Sequence, residues 1–156
     1  MAMNVSIELL AHHPWAVETL REWFVAQWPE YYGAGGRGSA LADLRAYANQ
    51  GSLPVGVIAL QSGILCGVAA LKRDSIASHA HLSPWAAAGL VPPSMRGRGI
   101  GASLLAALEE QARELGYRHI HCGTSSAQGL LERCGWQLDE MIIHEGRSLG
   151  VYSKAL

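Results

Sequence analysis

Hydrophobic and polar positions change period several times along this 156-residue chain, and each change marks an element. Val5, Ile7 and Leu9 alternate with polar residues, the period of a half-buried strand. After His13-Pro14 the period lengthens. Val17, Leu20, Trp23, Phe24 and Trp28 fall at helical spacing and predict a helix to about Trp28. Pro29 to Ser39 carries Gly33-Ala34-Gly35-Gly36-Arg37-Gly38 and has no apolar period. No strand precedes it, so it reads as a flexible connector rather than a phosphate loop. A second helix is expected from about Ala40 to Asn49, ended by Gly51 and Pro54.

Val55 to Leu60 and Ile64 to Leu71 are apolar, rich in branched residues, and joined by Gln61-Ser62-Gly63, which predicts a hairpin. Lys72 to Ser83 is polar and reads as loop or strand end. Trp85 to Val91 is a small-residue strand, stopped where Pro92-Pro93 removes two ladder donors. A helix follows with Leu104, Leu105, Leu108 and Leu115 on one face, Glu109, Glu110 and Arg113 outside, and Gly116 as its cap. His119 to Gly123 is a strand, and Ala127 to Arg133 a short helix ended by Gly135. Gln137 to His144 and Arg147 to Lys154 form a closing hairpin around Glu145-Gly146. The order predicts one α/β domain over residues 1–156, with a mixed sheet of about seven strands and about four helices. Trp85 to Gly123 should form a right-handed crossover joining parallel strands.

The chemistry concentrates in Pro93-Ser94-Met95-Arg96-Gly97-Arg98-Gly99-Ile100-Gly101-Ala102-Ser103, where a glycine-rich loop runs directly into a helix. Alternate glycines let the backbone turn tightly and leave N–H groups uncovered. The helix adds its own unpaired N–H groups and the positive end of its dipole. Together they cradle phosphate oxygens, and Arg96 and Arg98 can add charge.

Composition narrows the partners. The net charge of −1 argues against a nucleic-acid footprint. Cys66, Cys122 and Cys134 contain no C-x-x-C pair, which points to free thiols in a reducing compartment and to no metal site. Met1 to Leu10 lacks a basic region followed by an apolar run, and no run reaches membrane-spanning length; a cytoplasmic protein with no membrane partner is expected.

Three phosphate chemistries fit a glycine loop. A Walker loop needs a lysine after the glycines, and none is present. A Rossmann fingerprint needs G-x-G-x-x-G, but Ala102 stands where the third glycine falls, and Glu114 lies within the helix rather than on a second strand. Arg96-x-x-Gly99-x-Gly101 resembles the pyrophosphate-binding signature of the GNAT superfamily of N-acetyltransferases. The resemblance extends to Ser83-Pro84-Trp85 with the strand to Val91, which is similar to the family's fourth strand. Gly129-Leu130-Leu131-Glu132-Arg133-Cys134-Gly135-Trp136 resembles its helix-and-turn before strand six.

That resemblance implies a centrally splayed sheet with acetyl-CoA in the gap. Pantetheine would pair with the edge at Gly89, Leu90 and Val91, and N–H groups from Arg96 through Gly97, Arg98, Gly99, Ile100, Gly101 and Ala102 would hold the pyrophosphate. Thr124 stands where the family often has an asparagine on the pantetheine arm. The implied reaction is direct attack of a neutral amine on the thioester, with the Leu90 backbone N–H on the oxyanion. The chain departs from the family at Leu131, where many members carry a tyrosine acid. Coenzyme A would then leave as thiolate, or with help from water or Ser126. His79 and His81 are the candidate proton acceptors, and exposure in a polar loop is their plain alternative. The acceptor is expected to be a small-molecule or peptide amine, bound between Trp28, Tyr31 and Tyr32 on one side and His144, Glu145 and Arg147 on the other. An aromatic core cluster beside a charged turn fits those residues equally well. Such folds often pair through exposed strands or helices, so a homodimer is the expected assembly. A non-catalytic acyl-CoA-binding module, motivated by Leu131, and a Rossmann-like nucleotide binder are the rival readings.

Overall fold

Strands β1 (Val5–Leu9), β2 (Val55–Gln61), β3 (Ile64–Lys72), β4 (Trp85–Leu90), β5 (His119–Thr124), β6 (Gln137–His144) and β7 (Arg147–Ala155) form one sheet in the order β1-β2-β3-β4-β5-β7-β6. This computed structural model describes residues 4–156; Met1–Met3, where the N-terminal reading begins, lie outside the described residues. Every neighbouring pair is antiparallel except β4 and β5. A doubly wound parallel sheet, which the Rossmann reading requires, is thereby ruled out.

β4 and β5 share a single registered pair, Trp85 with His121. By contrast β5 pairs with β7 along its whole length, from His119–Ala155 to Thr124–Gly150. The sheet is therefore two ladders joined at one point and splayed beyond it, as the family resemblance implies. β4 also carries a bulge: its register with β3 shifts between Ala87 and Leu90, and Ala88 takes a left-handed φ of 54°. The bulge turns the strand's backbone where the split opens.

One face packs on α4 (Ile100–Glu114), whose Ile100, Leu104, Leu105, Leu108 and Ala112 meet Val57, Cys66, Ala69 and Ile120. Burying each of these leucines stabilises by roughly 1.5–3 kcal/mol. α5 (Gln128–Arg133) sits on the same face through Leu131. The other face is covered over β2–β4 by α1 (Ala16–Gln27) and α3 (Ala40–Tyr47), around Leu20, Phe24, Leu44 and Ile58. Ser39 caps α3, its Oγ accepting from the Ala42 N–H at 3.1 Å. Over β5–β7–β6 the cover is the long loop before β4, where Ile76 packs with Trp85 and Val151.

Two elements differ from the sequence reading. α1 begins at Ala16 because Leu10–His12 first closes a 3-10 turn. The connector read as flexible holds a fifth helix, α2 (Pro29–Tyr32), with proline in its first turn, and after it Gly33, Gly36 and Gly38 are packed. A Cβ on Gly36 would lie 2.3 Å from the Tyr31 carbonyl oxygen, and one on Gly38 2.2 Å from the Tyr31 ring. Gly38 N–H donates to Tyr31 O at 2.8 Å, closing the chain around that side chain. These glycines serve close approach, which composition alone reads as looseness.

Candidate functional site

The glycine loop begins at Pro93–Met95, a single 3-10 turn that the two prolines start. Arg96 folds back across it, its Nε donating to Val91 O at 2.9 Å. Arg98 reaches the Met95 sulfur through Nη1 at 3.7 Å. Gly97 and Gly99 hold left-handed φ values of 76° and 81°, with open space where a Cβ would stand. The backbone angle, not crowding, demands glycine there. The first bond onto this end of α4 is Ser103 N–H to Gly99 O at 3.1 Å. The N–H groups of Ile100, Gly101 and Ala102 therefore make no backbone hydrogen bond among the described residues. They converge with the positive end of α4, a geometry suited to pyrophosphate oxygens. Gly101 lies close beneath Leu130, so α4 and α5 start side by side.

Next to this cradle lies the split. Above Trp85 the β5-facing edge of β4 has no registered partner, and Gly89 on it is exposed with open space beside it. The Leu90 side chain is buried among the α1 and α3 contacts, so what it offers the split is its backbone. Val91 is half-buried, one residue before the prolines. Across the gap Thr124 has a structural task the sequence did not reveal. Its Oγ1 accepts from the N–H groups of Ser126 and Ala127 at 3.2 and 2.9 Å, shaping the turn into α5. The hydroxyl proton is left to donate. Ser126 is exposed on that turn, and Leu131 is fully buried in the core.

The histidines occupy the opposite face. His79 is buried, with Nδ1 2.8 Å from Ser78 Oγ and Nε2 against Glu140 Oε1 of β6. It thus pins the long loop to the sheet edge. His81 stacks on it at 5.9 Å and is exposed. His121 stands at the fork, its ring 5.5 Å from that of Trp85. Its Nδ1 is buried without a partner among the described residues. Burial holds its pKa below the usual histidine value, against the pull of Asp139 and helped by His119 and His81. Burial also pushes the Cys122 thiol up to about 12 and raises Cys66, which keeps both as inert thiols.

The aromatic residues proposed to line an acceptor pocket divide. Trp28 and Tyr32 pack on Phe24 at 5.2 and 5.5 Å, and Tyr32 Oη donates to Asp43 Oδ2 at 2.6 Å. Burial and that carboxylate raise the Tyr32 pKa far above the usual phenol value. Tyr31 alone of the three is exposed, with the Arg37 guanidinium 5.5 Å from its ring centre. Arg37 Nη2 in turn lies 2.6 Å from Glu145 Oε1, and His144 Nε2 3.9 Å from the same oxygen. The structure thus brings Tyr31, Glu145 and His144 together through Arg37, a residue the sequence reading left in the connector. A surface groove of about 670 Å³ between α1 and the start of α3 lies apart from the loop and the split. Among the described residues no three His, Cys, Asp or Glu side chains are grouped to hold a metal, and no helix is long and apolar enough to cross a membrane.

Residues 17–136 match the sequence model of the acetyltransferase (GNAT) family. No curated protein matches the chain. Solved structures share its fold. An aminoglycoside 6'-N-acetyltransferase complexed with coenzyme A superposes with a TM-score of 0.79 at 16% identity, over 96% of each chain. The aminoglycoside 6'-N-acetyltransferase from Enterococcus faecium gives 0.76 at 17% identity, over 98% of this chain and 97% of that one. A phosphinothricin acetyltransferase from Sinorhizobium meliloti in complex with acetyl-CoA gives 0.70 at 21% identity, over 100% of this chain and 89% of that one.

Proposed function

The chain belongs to the GNAT family of acetyltransferases, which use acetyl-CoA, and we propose that it transfers the acetyl group to a primary amine of a small molecule by direct attack in a ternary complex. The observation that carries this reading is the split between β4 and β5 with the glycine cradle at its mouth. The pyrophosphate lies on the N–H groups from Gly97 to Ala102; that of Arg96, also expected there, donates to Pro93 O at 3.4 Å. The pantetheine runs down the edge Gly89–Val91, with the Thr124 hydroxyl opposite. The thioester then reaches the bulge, where the Leu90 N–H stabilises the oxyanion. The neutral amine attacks the carbonyl carbon, the carbon–sulfur bond breaks, and coenzyme A leaves as thiolate. The amine proton passes to water or to a histidine of the face that carries His79 and His81, and the thiolate takes a proton from solvent or Ser126. The aminoglycoside acetyltransferases among its structural neighbours support a small amine acceptor, and a peptide amine fits the same chemistry. The protein is expected to act in the cytoplasm, and as a homodimer.

Leu131 favours a second reading, a non-catalytic acyl-CoA-binding module, because nothing at that buried position can protonate a leaving thiolate. Thiol release from acetyl-CoA with a panel of primary amines separates the two. Sustained release that depends on the amine supports the transferase, and tight coenzyme A binding with no release supports the module.

A further inference from the structure

The split has two banks on the face opposite α4, and charged side chains bridge them. α1, α2 and α3 cover the β2–β4 bank, whereas Glu145 and Arg147 flank the turn that ends the β5–β7–β6 bank. Arg37 reaches Glu145 at 2.6 Å and Arg147 reaches Glu30 at 3.9 Å. Arg37 also lies over the Tyr31 ring at 5.5 Å. One guanidinium is thus held by an aromatic face and a carboxylate together, the two groups that best hold an organic cation. This arrangement is built in, because Gly36 and Gly38 let the connector fold around Tyr31 and present Arg37 above it.

The contact is well placed and weakly fastened. The Arg37 and Glu145 side chains are 74% and 62% exposed, and ion pairs so exposed add little stability and weaken in salt. A cation arriving from solvent can replace Arg37 on Glu145 at little loss, and a neutral tail cannot. Building on the acetyltransferase reading above, we infer that Tyr31 and Glu145 form a subsite for a second positive charge on the acceptor, occupied by Arg37 until the acceptor binds. The acceptor class is the small diamine or polyamine. One neutral amine reaches the thioester while a distant ammonium rests on Glu145. The displaced Arg37 swings into solvent.

Hexylamine and 1,6-diaminohexane differ by the second ammonium, so thiol release with each tests the subsite. The wild-type protein should prefer the diamine by about tenfold in kcat/KM, mainly through KM. Glu145→Gln should bring that ratio to about two, the statistical factor for a molecule with two equivalent amines, Arg37→Gln should raise it several-fold, and molar salt should lower it. A wild-type preference no larger than that factor, or a larger preference that survives Glu145→Gln, overturns the subsite. If neither amine is turned over, calorimetry of 1,6-diaminohexane on the coenzyme A-bound protein decides. Binding that Glu145→Gln abolishes keeps the subsite and sinks acetyl transfer to such amines; absent binding, or binding indifferent to the substitution, sinks the subsite.

Discussion

Trp85 and His121 face each other across β4 and β5 and make the one registered pair between these strands among the described residues. Their rings also touch, 5.5 Å apart. This pair is the hinge of the split. Just below it the His121 N–H donates to Pro84 O at 3.0 Å; above it the strand edges are free to bind a ligand, and the cradle of α4 stands at the open end.

The cradle can be tested through Gly99. Any side chain there must adopt a φ near 81°, which costs about 1–2 kcal/mol for an L-residue. Gly99→Ala and Gly99→Glu should therefore lose similar stability in urea unfolding. Glutamate alone sets a negative charge against the pyrophosphate. Calorimetry should show weakened coenzyme A binding in the alanine variant and none in the glutamate variant. Wild-type affinity in Gly99→Glu would place the cofactor elsewhere.

Thr124 holds the opposite bank by accepting two backbone N–H groups. Thr124→Val keeps the shape and removes the acceptor, so it should cost about 0.5–1.5 kcal/mol, the usual net worth of a hydrogen bond. Thr124→Ser should stay near wild type. Denaturant midpoints of the three proteins check this, and equal midpoints for valine and threonine would show the turn forms without the hydroxyl.

Much of this fold was legible in the sequence because period and punctuation agreed. The alternation from Val5 to Leu9, the leucine face of α4 and the proline stop after β4 each signal one element, and the structure places each within a residue or two. The glycine loop was legible because its φ values require glycine. The bulge at Ala88 was not, because a run of alanines carries no mark of a residue forced to positive φ. The connector was misread for the opposite reason: Gly36 and Gly38 fit against Tyr31, and only the folded chain shows what they approach. His79 and Glu140, 61 positions apart, meet through sheet topology that no local pattern encodes.

Glu109, expected on the outer face of α4, is instead nearly fully buried, 2.9 Å from Lys154 Nζ, which also donates to Cys134 O at 2.8 Å. One lysine therefore ties β7 to α4 and to the end of α5. Lys154→Met should cost about 3–5 kcal/mol, because it leaves a buried carboxylate without its closest partner, though Arg113 at 3.9 Å can reclaim part. Adding Glu109→Leu should recover much of the loss. Urea unfolding of the single and double variants measures this, and additive losses would show that the two side chains act independently.

His121 should make the fold acid-sensitive. Burial lowers its pKa in the folded protein, with His119 and His81 adding to the effect and Asp139 opposing it. In the unfolded chain it titrates near the ordinary value of about 6.5. Below that pH the unfolded state binds the proton more readily, so stability falls as the pH drops; above it the contribution is fully present. Glu8 adds acid sensitivity of its own, since its hydrogen bond from His13 lowers its pKa. That part is common to wild type and His121→Phe, which keeps a ring beside Trp85 but cannot titrate. The loss of urea stability between pH 7.5 and pH 5 should therefore be smaller in His121→Phe than in wild type. Equal losses would mean that His121 takes up its proton as easily in the fold as in the unfolded chain, and that the fork between β4 and β5 tolerates a charge.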